Sequence, residues 1–146
     1  MLPILTAFIP MIMNTGGNSG SQSSVAIIRS LALDDIEFKD IGKIILKESR
    51  VSFICGIILA VANFAKILLI DNLLLNSNIS ISIAIVVCVT LLVTVIAAKI
   101  IGCTLPLLAK LCRLDPAVMA SPFITTIVDA ISLFVYFSIA SIILKM

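Results

Sequence analysis

Asp129 is the only acidic residue deep inside an apolar stretch, near the middle of an otherwise uncharged run from Pro116 to Leu144. An ionised carboxylate at the centre of a bilayer costs about 3 kcal/mol or more unless it meets water, a cation or a partner. The first expectation is therefore a cation path. The competing reading is a protonated acid in a helix contact, or an ion pair with Lys66 or Lys99, although both lysines lie near span ends and suit snorkelling to the headgroups. Thr125 and Thr126 lie one turn before Asp129, Ser121 about two turns before it and Ser132 one turn after it, which makes a polar stripe. The ion implied is hard, because the donors are oxygens and the sequence contains no histidine. Mg²⁺ fits best, since it dehydrates reluctantly and is held through retained waters by one or two carboxylates.

A second cluster, Gly16-Gly17-Asn18-Ser19-Gly20-Ser21-Gln22, sits between two apolar halves, Leu2–Met13 and Val25–Leu33. The first span thus reads as a helix broken near mid-membrane. Irregular backbone at that depth is tolerated only where it is buried in protein or lines a water-filled cavity, and broken helices often form ion sites. Gly16, Gly17 and Gly20 would let a hydrated ion approach closely, Asn18 and Gln22 offer amide oxygens to its waters, and Thr126 extends the lining from the fourth span. The plainer alternatives are an extramembrane loop between re-entrant segments, or small-residue helix packing.

The elements that must position these groups are helices. At 146 residues, 61% hydrophobic, 12% charged and mean hydropathy +1.28, the chain falls far below the roughly 25% charge of a soluble domain. It reads as one all-α transmembrane domain, 1–146, with four spans near 2–33, 51–70, 79–109 and 116–144. Residues 35–48 read as a short amphipathic helix on the membrane surface or a solvated connector. There Asp34 and Glu37 are spaced as a capping box, and Phe38, Ile41, Ile44 and Ile45 share a face. Gly102 and Pro106 would bend the end of the third span. Asp115-Pro116 marks the start of the fourth, as a cap residue followed by proline.

Lysine and arginine cluster in the first and third connections, whereas the connection from Asp71 to Asn78 has none. The positive-inside rule then places both termini outside the cytoplasm, in a plasma membrane. An N-terminus outside calls either for an upstream span or for a short N-terminus that crosses unaided. One Asp129 per chain is meagre for a dication, and four helices hardly enclose a pore; a two-fold homodimer with the pore on its axis supplies two carboxylates. The net charge of +2 and the absence of an aromatic-interleaved basic patch exclude nucleic acid as partner, leaving membrane lipid and Mg²⁺. Cys55, Cys88, Cys103 and Cys112 have no paired spacing and read as packing residues.

Pro10 through Gln22, above all Gly17-Asn18-Ser19-Gly20-Ser21-Gln22, and then Arg29-Ser30-Leu31-Ala32 resemble the hallmark of the membrane domain of the MgtE magnesium transporters and channels. A second block carries the same resemblance: Asp115-Pro116-Ala117, Ser121-Pro122, Thr125-Thr126, Asp129 and Tyr136-Phe137. The resemblance implies a dimer of five spans per chain with an axial pore. It also implies that Asp129 coordinates hydrated Mg²⁺, assisted by Ser121, Thr125 and Ser132 and by Asn18 with its glycine neighbours. Ser132 stands where the family usually has glycine, which bears on pore width and selectivity. The family's first span and its cytoplasmic N-terminal and CBS domains have no counterpart here, so regulation through those domains is not expected of this chain.

The leading functional expectation is permeation of Mg²⁺, with Mn²⁺ and Co²⁺ as further candidates, past paired Asp129 residues. A coupled exchanger in which Asp129 alternately binds a proton or Na⁺ is a second transport reading. A non-transporting subunit completed by a longer homologue is a third. An intramembrane enzyme is not expected, since Asp129 has no second acid, histidine or activated nucleophile beside it.

Overall fold

Long apolar runs with few turn signals leave the backbone only its own hydrogen bonds in lipid, and the helix is the form that supplies them. The computed structural model describes residues 2–119 and 121–145, with side chains other than those of Leu2, Phe38, Met119 and Ser121. Its order is α1 (Leu2–Ala32), a 3₁₀ turn (Phe38–Asp40), α2 (Ile41–Lys66), which runs on as a π-helical stretch to Leu74, α3 (Ile81–Leu111), a second 3₁₀ turn (Pro116–Met119) and α4 (Ser121–Leu144). The described residues form an all-α bundle. Three helical stretches, Ile41–Leu74, Ile81–Leu111 and Pro122–Leu144, are long and apolar enough to cross a membrane. α1 equals α3 in length at 31 residues, but its polar middle lowers its hydropathy.

α3 is the central helix: it packs against α1, α2 and α4, while α1 and α4 also pack against each other. One core joins Leu5, Phe8 and Ile12 of α1 to Ile83, Val87 and Leu91 of α3 and Tyr136 of α4. At the opposite end Ile27 and Leu31 of α1 meet Cys103 and Leu107 of α3. The outward sides of α2 and α4 expose Ile58, Val61, Phe134 and Ile142, as lipid-facing helices do.

The first helix is not broken. α1 runs without interruption through Gly16–Gln22, because an unpaired amide in hydrocarbon costs several kcal/mol, more than the roughly 1 kcal/mol by which each glycine disfavours a helix. What the glycines provide is proximity. A Cβ on Gly102 would lie 2.1 Å from the Gly20 carbonyl oxygen, and one on Gly16 would lie 2.7 Å from Thr94 Cγ2. Small-residue packing, the plainer alternative, therefore accounts for Gly16 and Gly20.

Nor is there a separate surface helix over 35–48. Residues 41–48 are the first turns of α2, and their apolar face (Ile41, Ile44, Ile45) packs on Ile27, Leu31, Cys103 and Leu107. Asp34 caps nothing at Glu37. It takes the left-handed conformation (φ 54°) that closes α1, with the Asp35 N–H bonded to the Ser30 carbonyl at 3.0 Å. Arg113 (φ 59°) closes α3 likewise, with the Leu114 N–H on the Ala109 carbonyl at 2.9 Å. The carboxylate that reaches back is Asp40, which accepts from the Glu37 N–H at 3.3 Å. Asp115 caps the 3₁₀ turn rather than α4 itself, accepting from the Ala117 N–H at 2.9 Å. Pro106 lies inside an uninterrupted α3.

Candidate functional site

Residues 14, 17 and 18 fall on one face of a continuous α1, and 125 and 129 share a face of α4. The packing of α1 on α4 turns these faces together. They line one open cleft of about 450 Å³, formed by Ile9, Pro10, Met13, Asn14, Gly17, Asn18, Thr125 and Asp129. Gly17 is what brings the helices close here. A Cβ at that position would lie 3.1 Å from Thr125 Cγ2 and 3.7 Å from Asp129 Oδ1.

The polar groups around the cleft leave acceptors available. Asn18 Nδ2 donates to Asn14 Oδ1 at 3.2 Å, which leaves the Asn18 amide oxygen to accept from water. Thr125 Oγ1 donates back to the Pro122 carbonyl at 3.0 Å and so keeps a lone pair outward. Asp129 is half-buried. It is not paired with either lysine: Lys66 bonds Asp71 at 2.8 Å and sits 5.7 Å above the Phe8 ring, while Lys99 lies 3.5 Å from Glu48. Among the described residues no three Asp, Glu or Cys side chains cluster as a metal cage, and Asp129 is the one carboxylate among the residues lining the cleft. Such a cleft suits an ion that keeps its waters, with one charged and several neutral oxygens meeting the hydration shell.

The residues expected to act together are thus partly separated. Thr125 and Asp129 share the cleft with Gly17 and Asn18. Ser132 points elsewhere: it is 1% exposed, donates to the Val128 carbonyl at 2.6 Å and faces Gly16 in the α1–α3–α4 contact. It stands three positions after Asp129, about 60° round α4, which carries it to the buried side. Thr126 is exposed and donates to the Pro122 carbonyl at 2.9 Å. Gln22 belongs to a second cavity of about 430 Å³ on the α2 side of α1, with Thr15, Asn18, Ser19 and Lys99. The side chain of Ser121 lies outside those described. Asn14 joins the site although the glycine-rich motif begins after it; its spacing of four from Asn18 is the signal once the helix is continuous.

The family model for MgtE, described as divalent cation transporter, matches residues 9–139. The magnesium transporter MgtE of Thermus thermophilus is 33% identical over 141 residues, covering 97% of this chain and 30% of that protein. The magnesium transporter MgtE of Bacillus subtilis is 32% identical over 141 residues, 94% of this chain and 29% of that protein. That of Enterococcus faecalis is 32% identical over 142 residues, 97% and 30% respectively. The chain therefore spans about 30% of the length of the curated relatives it matches.

Proposed function

The chain belongs to the MgtE family of divalent cation transporters, and from that premise we propose that it forms one wall of a Mg²⁺ pathway whose binding point is the α1–α4 cleft. Asp129 holds the hydrated cation through its water shell. The Asn14 and Asn18 amides and the Thr125 hydroxyl accept from the same waters, and Gly17 leaves room for them. The observation that carries this reading is the pairing of an unneutralised intramembrane carboxylate with an amide-bearing face across an open cleft.

Two copies related by a two-fold axis bring two Asp129 carboxylates to one dication and balance its charge. In this arrangement α1 crosses the membrane as a fourth span, its polar middle covered by α3, α4 and the water of the pathway. The basic first and third connections lie in the cytoplasm, both ends of the chain lie outside, and the membrane is the plasma membrane. The ion moves inward down the membrane potential and no bond is made or broken. Mn²⁺ and Co²⁺, of similar hardness and charge, enter the same cleft.

The test is Mg²⁺ uptake into proteoliposomes with an entrapped indicator, wild type beside Asp129→Ala. The proposal expects uptake that the substitution abolishes. Undiminished uptake by the variant refutes it, and uptake only after co-reconstitution with a longer family member replaces it with the reading of a subunit completed by a partner.

A further inference from the structure

We infer that Ser23, Glu48 and Lys99 form a part-buried polar latch that fixes the rotation and height of α1, and thereby holds Asn14, Gly17 and Asn18 opposite Asp129; this rests on the cation-path reading above. The three residues come from three helices. Ser23 Oγ of α1 donates to Glu48 Oε2 of α2 at 2.7 Å, and Lys99 Nζ of α3 lies 3.4 Å from Ser23 Oγ and 3.5 Å from Glu48 Oε2. Lys99 does not reach a headgroup as its place in the sequence suggests. Its side chain is 13% exposed and that of Glu48 17%, so the pair is formed inside the bundle.

An internal ion pair is a poor way to gain stability, because apolar residues of the same volume do as well or better. What it provides is direction, and the apolar packing of α1 is interrupted where the site needs it. The buried apolar residues of α1 are Leu5, Phe8 and Ile12 near one end and Ile27 and Leu31 near the other, with none between. Across that gap α1 meets α3 through Gly16 against Thr94 and Gly20 against Ala98 and Gly102. Such small-residue contacts set how closely α1 and α3 approach, and a hydrogen-bonded contact adds direction to that closeness.

Two directional contacts bracket the gap. Tyr136 Oη of α4 donates to the Leu5 carbonyl at 2.9 Å, about two and a half turns before Asn14, and the latch grips Ser23 about one and a half turns after Asn18. Asn18 lines both the Asp129 cleft and the second cavity, into which Lys99 also faces. Rotating α1 by one residue, about 100°, would carry Asn18 out of the cleft. Ser23, Glu48 and Lys99 are positioning residues, since they act on the ion through α1.

The experiment is the Mg²⁺ concentration dependence of uptake by the reconstituted protein, read beside its melting temperature. Glu48→Gln and Lys99→Met leave a part-buried partner unpaired and are expected to raise the half-saturating Mg²⁺ about tenfold; Ser23→Ala is expected to raise it about threefold with a smaller fall in melting temperature than either. The double variant Glu48→Met/Lys99→Met separates position from stability: its melting temperature recovers to wild type while half-saturation stays raised. If the single-charge variants do not fold, Ser23→Ala and the double variant decide. Wild-type half-saturation in both overturns the latch. Asp129→Ala run in parallel keeps the two claims apart: persistence of uptake there defeats the cation-path reading, whereas its loss alongside wild-type behaviour of Ser23→Ala and the double variant defeats the latch alone.

Discussion

Gly102→Ala should damage this protein more than its single added methyl suggests. The new Cβ would lie 2.1 Å from the Gly20 carbonyl oxygen, 2.9 Å from its carbonyl carbon and 3.0 Å from its Cα, all backbone atoms that no rotamer change can move. An ordinary carbon–oxygen contact is about 3.3 Å or longer, so α1 and α3 must part by about 1 Å at the crossing. A gap of that size forfeits a quarter to a half of the local dispersion attraction. Between helices in lipid, packing of that kind is a main source of association. Overpacking of this type costs about 1–3 kcal/mol, which corresponds to roughly 3–10 °C in melting temperature for a domain of this size. Gly20 is only two residues from Asn18, so a shift of this size should lower Mg²⁺ uptake by about tenfold or more. Gly42→Ala is the comparison, as a Cβ there meets nothing within 4 Å. Thermal unfolding of purified protein and vesicle uptake read both effects. Wild-type values of both in Gly102→Ala would refute the claim that this crossing sets the site.

Gly17→Ala should fold, since Thr125 Cγ2 at 3.1 Å from the added Cβ need yield only slightly, but it narrows the cleft and should weaken half-saturation of Mg²⁺ uptake about threefold to tenfold. Arg113→Gly relieves the left-handed strain at the end of α3 (φ 59°) and should stabilise the protein by about 1 kcal/mol in thermal unfolding. Tyr136→Phe removes the buried hydroxyl that bonds the Leu5 carbonyl and should cost about 1 kcal/mol. The Glu37 backbone N–H, with Lys43 and Lys39 nearby, holds the Asp40 carboxyl below its ordinary value. The turn it makes should therefore be stabilised at neutral pH and lose that contribution only as pH falls through the lowered value, read as loss of Glu37 amide protection in hydrogen exchange.

The α-helical class was legible because uninterrupted apolar runs have one solution in lipid. Asp129 stood out for the same reason, as the exception in such a run. Gly16–Gln22 misled because glycine disfavours helix locally, whereas the contact that rewards it, Gly20 against Gly102, lies 82 residues away in sequence. Residues 35–48 misled because an apolar stripe made by Ile41, Ile44 and Ile45 serves a membrane surface or the ends of α1 and α3 equally well. Lys99 could not be placed by hydropathy, since its partner Glu48 lies in a segment read as surface. The one-turn spacing that groups Ser132 and Thr126 with Asp129 is approximate: three steps of about 100° leave each about 60° off Asp129 and on opposite sides, which puts Ser132 inside the bundle and Thr126 on its surface.

The central claim is that a hydrated divalent cation rests in the cleft between α1 and α4, and the most direct measurement is anomalous diffraction from crystals of the protein soaked in Mn²⁺ as a stand-in for Mg²⁺. With one water layer retained, the peak is expected in the cleft about 4 Å from a carboxylate oxygen of Asp129, within reach of Asn14 and Asn18 through the same waters. A cation bound at Glu48 or at the exposed Asp115, with the cleft empty at the same Mn²⁺ concentration, would contradict it.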